Sequence, residues 1–183
     1  VSDPEALPHA MADVFAIERH SWKNESGSSF LTEDGLDKFY PRLATLCARR
    51  GWLRLGLLYL DSRPVAHCFA VAHGGELLAL KTSFDQQLAK LSPGLALMLF
   101  MAEEASRERL AAVDLLGHPD RWKLEMASEQ LQHVAGRARA ERPGAGDAAL
   151  CGAQRHAVRG VPRQPVGRRH AHRLRKWRVR AAA

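Results

Sequence analysis

Three strand-like segments joined by very short turns constrain this chain most. Apolar residues alternate with other residues along 53–59, and the segments 65–73 and 76–84 have strand-like composition. Asp61–Pro64 and Gly74–Gly75 form the turns between them. Turns of this length cannot carry a crossover, so the three segments are expected to pair as an antiparallel meander.

The segments around this meander complete the predicted fold. Residues 94–110 read as a long helix that is apolar nearly all round at its start, which indicates burial against a sheet. The short strand 112–116 follows, and a helical crossover makes it parallel to the third strand. Helices are expected over 5–23 and from an N-cap at Thr32 to Gly51. The sequence therefore predicts an α/β fold of the α+β type: a mixed, mainly antiparallel sheet with helices on both faces.

The tripeptide Ser92-Pro93-Gly94 stands between the third strand and the long helix. Ser is a favoured N-cap, Pro fits the first helical position, and Gly lacks the Cβ that would keep a ligand at a distance. Because a helix N-terminus offers N–H groups and a positive dipole end, this segment is a candidate phosphate site. The alternative interpretation is an ordinary helix start.

Charge divides the chain into two parts. Residues 1–124 contain 14 Lys and Arg against 16 Asp and Glu, whereas residues 125–183 contain 13 against 4. We predict a folded domain over 1–134 and a basic tail rich in Arg, Ala, Gly and Pro over 135–183. Two interpretations of the tail stay open: a disordered arm for nucleic acid or acidic membrane, or the product of out-of-frame translation. Since the chain begins with Val, we expect it to be the C-terminal part of a longer protein.

Other sequence features favour a cytoplasmic protein without a resident metal. No apolar run approaches the ~20 residues of a membrane span. Cys47, Cys68 and Cys151 are widely spaced and odd in number, which indicates a reducing compartment and no disulfide framework. His67 and His73 are six residues apart on one strand, about 20 Å, which is too far for one ion.

Four segments of the chain carry a family resemblance. They are the pair Trp22-Lys23, the strand-turn-strand LYLDSRPVAHCFAV, the segment KTSFDQQLAKLSPGLAL and the ending AVDLLGHPDRWK. With these segments, residues 7–123 resemble the GNAT superfamily of N-acetyltransferases, and in particular the CelD/BcsL-like branch of cellulose biosynthesis. The resemblance implies an acyltransferase of the GNAT fold with acetyl-CoA, or another acyl-CoA, as co-substrate.

The resemblance also implies where the acyl-CoA binds. A loop and helix start would receive the pyrophosphate, and a strand edge would bond the pantetheine amides. The phosphate residues would be Lys90, Leu91, Ser92, Pro93, Gly94, Leu95 and Ala96, and the strand residues Lys81, Thr82, Ser83 and Phe84. Leu91 stands where the family has Gln or Arg, so Lys90 is expected to supply the charge.

The candidate catalytic residues are Asp114 and His118. A base must take a proton from the acceptor during acyl transfer, and a carboxylate at the end of a central strand lies beside a crevice. The alternatives are a structural acid at Asp114 that caps or pairs with Lys123, and an exposed turn residue at His118. Candidate substrate-binding residues are Trp22, Asp85, Trp122 and Lys123, although Asp85 also fits a turn bond that ends its strand.

Two departures from the family concern the end of the domain. Trp122 replaces a Tyr whose phenol could protonate a leaving thiolate, and no clear strand pair for the last hairpin follows Lys123.

Three hypotheses for the function stay open. The first is acyl transfer to an amine or hydroxyl of a small molecule or saccharide, such as a cell-envelope saccharide or its precursor. The second is a Fem-like transferase that uses aminoacyl-tRNA, which the net charge of −2 over residues 1–124 disfavours. The third is a non-catalytic fragment whose basic tail binds nucleic acid.

Overall fold

The computed structural model describes residues 5–25, 27, 29–128, 130–132, 156–157 and 178–179. The helices are α1 (Leu7–Arg19), α2 (Trp22–Glu25), α3 (Leu36–Arg49), α4 (Pro93–Arg107) and α5 (Arg121–Met126), with a 3-10 helix at Gln86–Leu91. The strands are β1 (Leu53–Leu60), β2 (Arg63–His73), β3 (Glu76–Phe84), β4 (Ala112–Asp114), β5 (Leu131–Gln132), β6 (His156–Ala157) and β7 (Arg178–Val179).

The sheet confirms the predicted meander and crossover. Its strands lie in the order β4-β3-β2-β1-β7. The pairs β1–β2 and β2–β3 are antiparallel, whereas β3 and β4 are parallel. The short strand β7 pairs antiparallel with Leu58 and Tyr59 of β1. The predicted fold class, α+β with a mixed and mainly antiparallel sheet, is therefore confirmed.

Helices cover both faces of the sheet, as alternation along β1 shows. Leu53, Leu55 and Leu57 join a core cluster that contains α1 and α3 residues. The opposite face carries Gly56, where a Cβ would lie 2.6 Å from the Met101 sulfur of α4. Glycine here lets α4 pack directly on the strand, because any side chain would displace Met101. The helix that begins beside the candidate phosphate loop is thus fixed against the sheet.

The two N-terminal helices differ from the sequence prediction. The predicted helix over 5–23 is broken at His20 and Ser21, where the Ser21 hydroxyl donates to the Glu18 carbonyl at 2.9 Å. The predicted N-cap at Thr32 is wrong, because α3 begins at Leu36 after Gly35, whose φ is 79°. Residues 29–35 instead form turns that place the Phe30 ring in the core, fully buried.

The chain divides into two compact units, 1–118 with 168–183, and 119–167. Within the second unit, α5 is followed by the antiparallel pair of β5 and β6. The sequence shows no strand pair after Lys123, since two-residue strands are too short to leave a periodic pattern. The predictions for the tail 135–183 lie outside the described residues, apart from 156–157 and 178–179.

Two further sequence predictions concern thiols and membranes. Cys47 and Cys68 are buried free thiols, and Cys151 lies outside the described residues. Over the described part of the chain, no helix has the length and apolar character needed to cross a membrane.

Candidate functional site

Asp85 fixes the start of the segment between β3 and α4. The Asp85 side chain is 2% exposed and pairs with Arg63, while its Oδ1 accepts from the backbone N–H of Gln87 at 3.0 Å. The Gln86 N–H in turn donates to the carbonyl of His20 at 2.9 Å. This is the turn bond that the sequence allows for Asp85, and it commits both carboxylate oxygens within the protein.

Ser92 closes the 3-10 helix and opens α4 at once. Its N–H donates to the Ala89 carbonyl, its carbonyl accepts from Ala96, and its φ of 53° is left-handed. The expectation that its hydroxyl caps α4 is wrong: in this conformation the side chain makes no capping bond. Pro93 occupies the first helical position as predicted, so the N–H groups of Gly94 and Leu95 have no carbonyl partner within the helix. These two donors are available to an anion.

Gly94 lies against the ring of Phe84, which leaves little room for a side chain. A Cβ at Gly94 would lie 3.0 Å from Cδ1 of the Phe84 ring. The absence of a side chain therefore lets the first turn of α4 rest on β3, in addition to the close ligand approach that the sequence suggests. Lys90 and Leu91 are exposed at the end of the 3-10 helix, and Leu95 and Ala96 continue into α4.

The edge of β3 that faces β4 is open at its C-terminal end. In the described residues β4 pairs with β3 only at Glu76, Leu77 and Leu78, so residues 79–84 extend beyond it. The Asp85 N–H donates to the carbonyl of Val65 on β2. Because alternate residues of a strand direct their N–H and C=O groups to opposite sides, the backbone groups of Ser83 also point to β2. Those of Thr82 and Phe84 point to the open edge. The Lys23 ammonium donates to the Thr82 carbonyl, which fits this assignment.

This geometry narrows the predicted pantetheine strand. Of the four residues Lys81–Phe84, the open edge presents the backbone groups of Thr82 and Phe84, whereas Lys81 and Ser83 bond toward β2. An amide-bearing chain could add to the edge at these two residues. The loop donors and the strand edge together fit an acyl-CoA: N–H groups for phosphate, and backbone groups for the amides.

Asp114 and His118 follow one another at the end of β4. The Asp114 Oδ1 accepts from the backbone N–H of Leu116 at 2.9 Å, and Leu116 has a left-handed φ of 47°. The carboxylate therefore stabilises the turn that ends the strand, as in the structural alternative. His118 is exposed just beyond this turn. Their role as bases stays a prediction.

The other predicted substrate residues lie on two short helices. Trp22 of α2 is 45% exposed, and the Lys23 ammonium lies 5.8 Å from the centre of its ring. Because Lys23 also reaches Thr82, the indole is close to the open edge of β3. Trp122 and Lys123 lie on α5 in the second unit, where Lys123 pairs with Asp120 at 3.2 Å. Their substrate contacts stay a prediction.

A buried pair of Glu18 and His67 was not predicted from the sequence. The Glu18 Oε1 lies 2.8 Å from the His67 Nε2, and both side chains are completely buried. The Phe30 N–H donates to the other carboxylate oxygen at 3.1 Å. The sequence does contain one indication of this pair. Glu18 lies four residues after Val14, on the apolar face of α1, where a buried carboxylate needs a hydrogen-bonding partner.

At neutral pH the Glu18 carboxyl is ionised and the His67 imidazole is neutral. Burial alone would raise the pKa of the Glu18 carboxyl, but hydrogen bonds from His67, Ser29 and Phe30 together with the His67 interaction lower it to about 2. Burial lowers the pKa of the His67 imidazole and outweighs the bond to Glu18, and Lys23 and Lys81 act in the same direction as burial. At neutral pH an ionised Glu18 therefore accepts a proton held on Nε2 of a neutral His67.

Comparison with known proteins identifies one family. A family model described as an acetyltransferase (GNAT) domain matches residues 1–124, about two thirds of the chain. Neither the curated proteins nor the solved structures give a significant match. Among the described residues there is no group of three or more His, Cys, Asp or Glu side chains that could hold a metal ion.

Proposed function

Because the chain belongs to the GNAT acetyltransferase domain family, we propose that it transfers the acetyl group of acetyl-CoA to an amine or hydroxyl of a saccharide. The acyl-CoA supplies an activated thioester. The chain supplies the binding surface that orients it. The link to a cell-envelope saccharide, or its precursor, rests on the CelD/BcsL-like resemblance and on the exposed Trp22, whose face suits a sugar ring.

The observation that carries the proposal is the open edge of β3 beside the first turn of α4. The donors of Gly94 and Leu95 would receive the pyrophosphate, with Lys90 as the neighbouring cation. The Thr82 N–H and the backbone groups of Phe84 would bond the pantetheine amides, while the Thr82 carbonyl accepts from Lys23. Both features lie on the first compact unit, within the residues that the family model matches.

Titration calorimetry with acetyl-CoA tests this site. Ser92→Glu places a carboxylate at the start of α4, at a position that is exposed and makes no capping bond. We expect it to weaken acetyl-CoA binding at least about tenfold, because the carboxylate repels the pyrophosphate. Ser92 is a better choice than Gly94, where any side chain also meets Phe84.

The matched control is Ser92→Gln, which has the same size without the charge. It should leave the affinity within about twofold of the original chain. Acetylpantetheine, which lacks the nucleotide and its phosphates, should bind all three chains equally. If Ser92→Glu and Ser92→Gln bind acetyl-CoA alike, or if the original chain folds but does not bind, the proposed site is wrong.

The acceptor is tested separately, by release of CoA. Glucosamine serves as the probe because it offers a primary amine and hydroxyls on one sugar ring. We expect CoA to be released faster with glucosamine than with glucose if the amine is the acceptor group, and equally fast if a hydroxyl is. Release that neither sugar accelerates would contradict the saccharide proposal and leave the acyl-CoA site untouched.

A further inference from the structure

Two buried polar side chains occupy paired positions on β2 and β3. His67 and Ser83 are directly paired in the antiparallel register, so their side chains lie on the same face of the sheet. The two residues are 1% and 3% exposed. Neither the His67 Nδ1 nor the Ser83 hydroxyl has a hydrogen-bond partner among the described residues. Buried polar groups are nearly always bonded, so such a pair at adjacent positions needs an explanation.

The surroundings fix the orientation of the imidazole. Glu18 holds Nε2, and the Phe30 ring stacks on the imidazole with centroids 5.5 Å apart. Nδ1 is therefore left as a lone-pair acceptor in a ring that cannot turn freely. Ser83 belongs to the strand whose open edge the proposed acyl donor would occupy.

We propose that Ser83 and His67 form a proton relay, with Glu18 as its positioning residue, that takes the proton of the acceptor during acyl transfer. This inference rests on the proposed function. The order is carboxylate, imidazole, hydroxyl: the carboxylate orients the ring, and in the relay the ring would accept a proton from the hydroxyl.

Acyl transfer through this relay moves one proton from the acceptor to the thiolate. The acceptor nitrogen or oxygen forms a bond to the thioester carbonyl carbon and gives its proton to the Ser83 oxygen, while the Ser83 proton moves to the His67 Nδ1. The carbon–sulfur bond then breaks, and the thiolate takes a proton back through the same path. The products are the acylated acceptor and free CoA thiol, and both side chains return to their starting state.

Charges around His67 suit a transient proton. The groups that face it are the Glu18 carboxylate of α1, the Lys23 ammonium near the end of α2 and the Lys81 ammonium of β3. Tyr40 of α3 packs on Phe30 and contributes a neutral phenol. The two ammonium groups oppose lasting protonation of the imidazole, whereas Glu18 stabilises the imidazolium while it forms. The proton is therefore returned rather than retained.

The test uses the full chain with acetyl-CoA alone, because a relay that activates an acceptor also activates water. Calorimetry gives the affinity, and thiol release gives the rate of hydrolysis between pH 5 and 9. We expect Ser83→Ala and His67→Gln to lower release at least about 100-fold, with the affinity within about twofold. Because burial lowers the pKa of His67 below its ordinary 6.5, the original chain should lose rate only as the pH falls below 6.5, whereas the residual rate of Ser83→Ala should lack this acid limb.

Ser21→Ala is the matched control. Ser21 is also a buried serine near Glu18, but its hydroxyl already donates to the Glu18 backbone. It should keep the acid limb and a rate within about twofold. Ser83→Ala removes one unbonded oxygen, so it keeps the test decisive if His67→Gln does not fold.

The outcomes separate the two proposals. Absence of acetyl-CoA binding by the folded chain overturns the proposed function. Binding without release above the buffer rate, or release that Ser83→Ala leaves unchanged in rate and pH profile, overturns the relay alone. Loss of rate and acid limb at unchanged affinity supports it.

Discussion

Glu18 is a completely buried carboxylate that bonds three separate parts of the chain. Its oxygens accept from His67 on β2 and from the backbone of Phe30, and its own carbonyl accepts from Ser21. A buried ionised group is stable only when its bonds replace those of water, and removing one partner leaves the other charge or dipole exposed to an apolar interior. This residue therefore ties α1, the turn before α3 and the sheet together.

The protonation of this pair makes folding stability depend on pH. The pKa of His67 is lower in the folded chain than its ordinary 6.5, because burial opposes the charged form. Between pH 6.5 and the lower pKa of the folded chain, the unfolded chain binds a proton that the folded chain does not. As the pH is lowered through this range, the free energy of unfolding should decrease by at most about 1.4 kcal/mol for each pH unit. Urea unfolding at pH 7.5, 6.5 and 5.5 measures this, and His67→Gln should lack that part of the slope.

Glu18 makes the free energy of unfolding depend on pH in a second, more acidic range. Its pKa of about 2 lies below its ordinary 4.5, so the stability it contributes is complete above pH 4.5 and is lost as the pH falls toward 2. Glu18→Gln should remove this loss of stability between pH 4.5 and 2. It would contradict the assignment if the variant and the original chain lost stability in parallel between pH 4.5 and 2.

At the scale of elements, the contact between α4 and β3 is tight at Gly94. An alanine there would gain helix propensity, up to about 1 kcal/mol, but its Cβ would lie 3.0 Å from the Phe84 ring. Overpacking of this kind costs about 1–3 kcal/mol, so we expect Gly94→Ala to lower the free energy of unfolding. A double-mutant cycle with Phe84→Leu measures the coupling.

The cycle has a clear sign. In the Phe84→Leu background the ring is gone, so Gly94→Ala should be neutral or stabilising. Equal effects of Gly94→Ala in both backgrounds would show that the ring moves aside without cost. Acetyl-CoA binding by Gly94→Ala then tells whether the position also needs glycine for the ligand.

Elements whose pattern is local could be predicted from the sequence, and those set by distant contacts could not. Strand β1 follows alternation, β3 follows strand-like composition after a short turn, and α4 begins at the Pro93 signal; the structure has these bounds within a residue. The start of α3 was missed because Phe30 is held by Glu18, a contact twelve residues away. The loop Ser92-Pro93-Gly94 was visible as a candidate site for the same local reason. The Glu18–His67 pair depends on packing between α1 and β2, which no short spacing reveals.

For the whole molecule, charge is separated along the sequence. Residues 1–124, which the family model matches, have a net charge of −2, whereas residues 125–183 have +9. Acetyl-CoA is proposed to bind backbone groups and Lys90 in the first part. Any affinity for nucleic acid is expected to reside in the second part, because phosphate backbones require many cations.

The two ligands should therefore bind the full chain independently. Affinity for a DNA duplex should fall about 10³-fold between 50 and 200 mM salt if six or more phosphates are neutralised. Affinity for acetyl-CoA should fall less than about tenfold over the same range, since most of its contacts are local hydrogen bonds. Fluorescence anisotropy of labelled DNA and calorimetry of acetyl-CoA measure the two affinities.

Saturating DNA should leave the acetyl-CoA affinity unchanged, because the loop at Ser92 contains one cation and the basic residues lie elsewhere in the sequence. Displacement of acetyl-CoA by DNA would instead place the phosphate-binding surface and the basic tail at one site.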